Sequence, residues 1–165
     1  MCSSDLAFVG HKTLVVISSY SGETEETVAA YNEAKAKGAT ISCITSGGKI
    51  AAAAAADGYN CIIIPGGNPP RSMFGYSSVQ VLFTLKAYGI YNGNFEAEIS
   101  NAIDLIHAEI ANIRTETKSI AEKIVSRIPV LYSEASYEGV AIRWRQQINE
   151  NSKMLCWHQI GRAHV

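Results

Sequence analysis

Three stretches of the chain hold side chains of the kinds that bind phosphate, face oxyanions or move protons. The first is Ser19-Tyr20-Ser21-Gly22-Glu23-Thr24. Backbone N–H groups at a helix start have no intrahelical acceptor and sit at the positive end of the helix dipole, so hydroxyls beside them make a phosphate cradle. Gly22 allows a close approach of backbone. The same composition also describes an ordinary capped turn, because Ser and Thr are favoured N-caps, and the spacing leaves both readings open. No Walker-type lysine follows, which argues against a nucleoside triphosphate.

The second stretch is Gly66-Gly67-Asn68-Pro69-Pro70-Arg71-Ser72, preceded by Pro65. Two adjacent prolines fix φ and two adjacent glycines permit sharp bends, so this is a shaped loop rather than regular structure. A stiff loop could hold the Arg71 guanidinium over an anion or a developing enediolate; a surface turn with one solvated arginine is the plainer alternative. The third is Glu150, within Ile148-Asn149-Glu150-Asn151-Ser152-Lys153. A carboxylate there could serve as a general base or be an exposed glutamate at a helix end. His11 falls in a loop, His107 and His158 read as structural, and Arg143 and Arg145 as a solvated helix face.

The elements that carry these residues alternate. Thr13 to Ser18 is a β-branched apolar run, read as a strand buried on both faces. Thr24 to Lys37 reads as a helix, acidic in its first turn and basic in its last, with Gly38 as its stop. Ala39 to Thr45 is the next strand, Ser46-Gly47-Gly48 a turn, Ile50 to Ala56 a short alanine-rich helix, and Cys61 to Ile64 a third strand. Strands alternating with helices through short loops imply a parallel sheet with helices on its faces, an α/β fold. Tyr76 to Tyr88 returns to helix and Asn92-Gly93-Asn94 breaks it. From Phe95 to Arg127, Ile99, Ile103, Ile106, Ile110 and Ile113 recur at helical spacing, as one long amphipathic helix or a pair. After Pro129, Val130 to Tyr132 reads as strand, Tyr137 to Asn151 as helix and Met154 to Trp157 as strand.

The 165 residues suffice for one domain or pieces of two. A net charge of -1 gives no field that favours nucleic acid or an anionic membrane. No apolar run approaches the roughly 18 residues of a membrane span, and no basic segment leads into an apolar one. Cys2, Cys43, Cys61 and Cys156 form no Cys-x-x-Cys pair, so neither a disulfide framework nor a zinc site is expected, and a reducing cytoplasm fits.

Ser19 to Thr27, Ser-Tyr-Ser-Gly-Glu-Thr-Glu-Glu-Thr, resembles the sugar-phosphate signature of sugar-isomerase (SIS) domains. By that resemblance Ser19, Ser21 and Thr24 hold a substrate phosphate. The run Gly66 to Tyr76 looks like the loop of the bifunctional phosphoglucose/phosphomannose isomerases, in which Arg71 would stabilise the intermediate. Gly139 to Lys153 is similar to the start of their second SIS domain, with Glu150 as the proton-abstracting base. The resemblance implies a three-layer αβα fold of the Rossmann or flavodoxin-like kind. It also implies conversion of glucose 6-phosphate or mannose 6-phosphate to fructose 6-phosphate through a cis-enediol, with no metal or redox cofactor. The partners implied are sugar phosphates and a second copy of the chain, since family members are dimers. A regulatory SIS module that binds sugar phosphate without catalysis is the alternative.

The organisation expected is a first SIS domain over 7–92 lacking its first strand, a helical spacer over 93–128, and the start of a second SIS domain over 129–159. Residues 1–6 and 160–165 read as non-native, because one oligonucleotide read in opposite directions can encode both hexapeptides. The chain is then an internal, inactive piece of a longer isomerase, without the family's ring-opening histidine.

Overall fold

A computed structural model describes residues 7–161. The chain forms two compact units that divide between Phe95 and Glu96.

In the first unit, strand β1 (Leu14–Ser18) leads into helix α1 (Glu25–Ala36), β2 (Thr40–Thr45), helix α2 (Gly48–Asp57), β3 (Asn60–Ile63) and helix α3 (Phe74–Ala87). The strands are parallel in the order β1-β2-β3, with Leu14 beside Thr40 and Ser42 beside Asn60. Each crossover is a single helix, the connection that returns a chain to a parallel sheet. Ile41 and Cys43 point into a core with Tyr31, Ala34, Ile50 and Ala54 from α1 and α2. Ser42 and Ile44, on the opposite face of β2, are also fully buried, and α3 packs against β2. The central strand is therefore covered on both faces, as a parallel sheet requires. β1 lies at an edge among the described residues and is mostly half-buried; the strand expected to be buried on both faces is β2 instead.

Local chemistry explains the helix ends. Glu25 and Glu26 open α1 and Lys35 stands in its last turn, matching the dipole. Gly38 follows at φ 69°, and the Ala39 N–H donates to the Ala34 carbonyl at 3.0 Å, a left-handed stop that only glycine adopts cheaply. Asp57 joins the two helices that share a face: it accepts from the Tyr31 hydroxyl at 2.8 Å and pairs with Lys35. The hydrogen bond from Lys35, then that from Tyr31, holds the Asp57 carboxyl below the usual carboxylate range. Burial pushes the Cys43 thiol up to about 11.

The proline loop departs from expectation. Pro70–Met73 closes a 3-10 turn, because proline is tolerated at the first position of a helical turn. The Ser72 N–H and hydroxyl both donate to the Pro69 carbonyl, at 2.9 and 2.8 Å. α3 begins directly after it, two residues earlier than the sequence suggested.

The second unit holds helix α4 (Phe95–Ile124, whose first residue belongs to the first unit), β4 (Val130–Ser133), helix α5 (Glu138–Asn151) and β5 (Trp157–Ile160). The long isoleucine-rich segment is one helix of 30 residues, and Ile103, Ile106, Ile110 and Ile113 on it are exposed. β4 and β5 are parallel, with Val130 beside Trp157. β5 starts three residues later than expected, for a local reason. The Asn149 side chain accepts the Cys156 N–H at Oδ1 (2.7 Å) and donates through Nδ2 to the Cys156 carbonyl (3.4 Å), which fastens the segment before the strand to α5. Ile160 pairs with Ser133 at the end of β5, and the Gly161 N–H donates to the Ser133 carbonyl just beyond it. Residues 1–6 and 162–165 lie outside the described residues.

Candidate functional site

The loops that follow β1, β2 and β3 converge at the carboxyl ends of the strands, the place where open parallel sheets bind ligands. The β1 loop carries Ser19, Ser21 and Thr24. Ser19 is buried, while Ser21 and Thr24 are exposed. The hydroxyls of Ser19 and Thr24 share a hydrogen bond at 3.3 Å. The Ser21 hydroxyl accepts the Glu23 N–H at 3.2 Å, which leaves its own proton free to donate.

Thr24 occupies the N-cap position of α1 but makes no side-chain cap hydrogen bond. Its hydroxyl is directed to Ser19, and the first-turn amides of α1 lack a side-chain acceptor. Three hydroxyls and a helix N-terminus thus lie on one loop, groups of the kind that can donate hydrogen bonds to an anion.

Two glycines make the loop possible. Gly22 has φ 67°, and a Cβ there would fall on the carbonyl oxygen of Gly47; Gly48 has φ 71°, and a Cβ there would fall on that of Ser21. The β1 and β2 loops therefore touch backbone to backbone. Tyr20 strengthens this contact: its carbonyl accepts the Ser46 N–H at 2.9 Å and the Ser46 hydroxyl at 2.6 Å. The Gly22 carbonyl accepts the Ile50 N–H.

Glu23 is turned away from the cradle. Its carboxylate accepts the Lys49 N–H at the start of α2 (2.9 Å) and pairs with the Lys49 ammonium (3.1 Å). The side-chain hydrogen bond from Lys49 holds its carboxyl below the usual range.

Arg71 lies exposed in the 3-10 turn of the β3 loop. That loop is tied to the β1 loop, because the Asn68 N–H donates to the Tyr20 hydroxyl at 2.9 Å. Glu150 stands exposed one residue before the end of α5 and is part of the second unit. In that unit Arg145 is half-buried, with a guanidinium nitrogen 3.0 Å from His158 Nδ1; it joins helix to strand instead of lining a solvated face. His107 is exposed on α4. Among the described residues no group of three or more His, Cys, Asp or Glu could hold a metal ion, and no helix is long and apolar enough to cross a membrane.

Sequence reasoning missed Tyr20, Ser46 and the capping role of Glu23. The available signal was the repeated Ser/Gly composition after β2, which in a parallel sheet places a second loop beside the first.

These features are those of a parallel α/β domain with its strand-end loops drawn together, and comparison with known proteins names the family. The SIS-domain model matches residues 2–90, more than half of the chain, which belongs to the SIS-domain family. Residues 113–162 match a second family model, the bacterial phospho-glucose isomerase C-terminal SIS domain. The chain is 40% identical over 154 residues to a bifunctional phosphoglucose/phosphomannose isomerase of Caldicellulosiruptor bescii, covering 89% of the chain and 45% of that protein. Identity to the protein of the same description in Thermoplasma volcanium is 37%, covering 92% and 47%. A D-glucosamine-6-phosphate 4-epimerase of Sulfolobus acidocaldarius is 31% identical, covering 88% and 46%. The chain thus spans about half the length of these relatives. A crystal structure from Clostridium difficile 630, assigned to the phosphosugar isomerases, shares the fold with a TM-score of 0.65 at 19% identity, covering 93% of this chain and 47% of that one.

Proposed function

We propose that this chain is part of an aldose–ketose isomerase that interconverts glucose 6-phosphate or mannose 6-phosphate with fructose 6-phosphate. The observation that carries the reading is the convergence at the carboxyl ends of the strands: an uncapped α1 N-terminus with Ser19, Ser21 and Thr24, tied through Tyr20 and Asn68 to the loop of Arg71. The names of the relatives supply the substrate class.

In this mechanism the phosphate seats on the three hydroxyls and the α1 amides. Contacts remote from the reacting carbons orient the sugar, and that binding energy lowers the barrier to proton transfer. Glu150 removes the proton from carbon 2 of the open-chain aldose, and the electron pair forms the cis-enediolate. Arg71 offsets the charge on the enediolate oxygen. Return of the proton to carbon 1, with transfer of the hydroxyl proton, gives the ketose. The two epimers share the enediolate, which accounts for action on both. The working enzyme is a cytoplasmic homodimer, and the chain by itself is inactive.

The test is a coupled assay of the full reading frame on glucose and mannose 6-phosphates, with Glu150→Gln alongside. Turnover of both substrates that collapses in the variant supports the isomerase and assigns the base. Sugar-phosphate binding without turnover would leave a regulatory module and remove Arg71 and Glu150 from catalysis. Turnover of an aminosugar phosphate alone would place the chain with the Sulfolobus relative.

A further inference from the structure

We infer that Tyr20 is a positioning residue that fixes Arg71 relative to the phosphate cradle. The inference rests on the isomerase reading and adds a role that the SIS signature does not assign, since Tyr20 lies between the two signature serines without touching a hydroxyl of the cradle. Its backbone is held from one side, where Ser46 donates to its carbonyl through both N–H and hydroxyl. Its phenol reaches the other way and accepts the Asn68 N–H at 2.9 Å. One residue therefore bonds to the loops after β2 and β3 while belonging to the loop after β1.

The link from Asn68 to Arg71 is stiff. Only Pro69 and Pro70 intervene, and their rings fix φ. The Ser72 N–H and hydroxyl close the turn around Arg71 onto the Pro69 carbonyl, and the Asn68 side chain bonds the Gly66 carbonyl at 3.2 Å. A displacement at Asn68 is thus passed to Arg71 with little room for absorption. Loss of the phenol oxygen leaves the cradle hydroxyls, the α1 N-terminus and the aromatic ring in place, and removes the acceptor of the Asn68 N–H. The effect belongs on turnover, where a misplaced charge weakens transition-state stabilisation, and not on phosphate binding.

The experiment is Tyr20→Phe in the full-length protein, read in two ways. Hydrogen exchange at the Asn68 amide is expected to speed up by about tenfold, the worth of one hydrogen bond, while exchange in β2 stays unchanged. The isomerase kcat is expected to fall by about tenfold with KM within about twofold of the unmodified protein. In an Arg71→Lys background the same substitution should cost much less, because residues acting through one another are not additive. Unchanged exchange at Asn68 overturns the inference, and so does a kcat loss that is fully additive with Arg71→Lys. If the unmodified protein turns over no sugar phosphate, the isomerase reading and the coupling to catalysis both fall, and Asn68 exchange still decides whether Tyr20 holds the loop.

Discussion

Helices α1 and α2 both begin just past the carboxyl end of a parallel strand, in loops that touch each other. Their N-termini are furnished in opposite ways. At α2 the chain supplies its own anion: the Glu23 carboxylate takes the Lys49 N–H and pairs with the Lys49 ammonium. At α1 the natural capping side chain, Thr24, bonds sideways to Ser19 and leaves the amides without it. A helix N-terminus attracts anions wherever it occurs, so the dipole alone does not make a site. The difference lies in whether a neighbouring side chain has already answered it: at α2 one has, and at α1 none has.

The largest way to break the contrast is Gly22→Ala. The left-handed backbone and the collision with Gly47 together should cost about 3 kcal/mol or more, read as a drop in the urea midpoint, with fructose 6-phosphate binding lost as the two loops separate. A more selective change is Ser19→Ala with Thr24→Val. Hydrogen bonds to a charged group are worth about 1.5–3 kcal/mol each, so affinity for fructose 6-phosphate by calorimetry should fall at least tenfold with the melting temperature little altered. An equal loss of stability would return these hydroxyls to a purely structural role.

Glu23→Gln tests the other helix and should act through pH. The folded-state carboxyl lies below its ordinary range, so the stabilisation it gives is present above that range and fades as pH falls through the lowered folded value. The variant should show a shallower acid-side loss of urea stability, with the remaining slope set in part by Asp57. Sugar-phosphate affinity near neutral pH should be unchanged. The smallest expected effect concerns the shared core beneath both helices. With its thiol raised to about 11 and no exposed surface, Cys43 should resist iodoacetamide at neutral pH until the protein unfolds.

The parts of this fold legible in the sequence were those with local causes. The dipole-matched charges of α1, the stop at Gly38 and the β-branched strands each act within a few residues. The candidate site was legible as far as one loop: the Ser19–Thr24 run showed hydroxyls beside a helix start and carried the family resemblance. What joined it to other loops was not. Glu23 and Lys49 stand 26 residues apart, and Tyr20 and Asn68 stand 48 apart, so both contacts depend on the parallel register of the three strands. The late start of β5 was hidden for a related reason. An asparagine on α5 competes with the ladder for the backbone of Cys156, and apolar patterning carries no sign of such a competitor.

The reciprocal contact of Gly22 and Gly48 bears on how this loop pair can change by mutation. At each position the absent side chain is the room taken by the other loop's backbone, and backbone cannot be trimmed by substitution. A lesion at either glycine therefore has no partner change to relieve it. A genetic search for second-site suppressors of Gly22→Ala should return restored glycine rather than an altered neighbour.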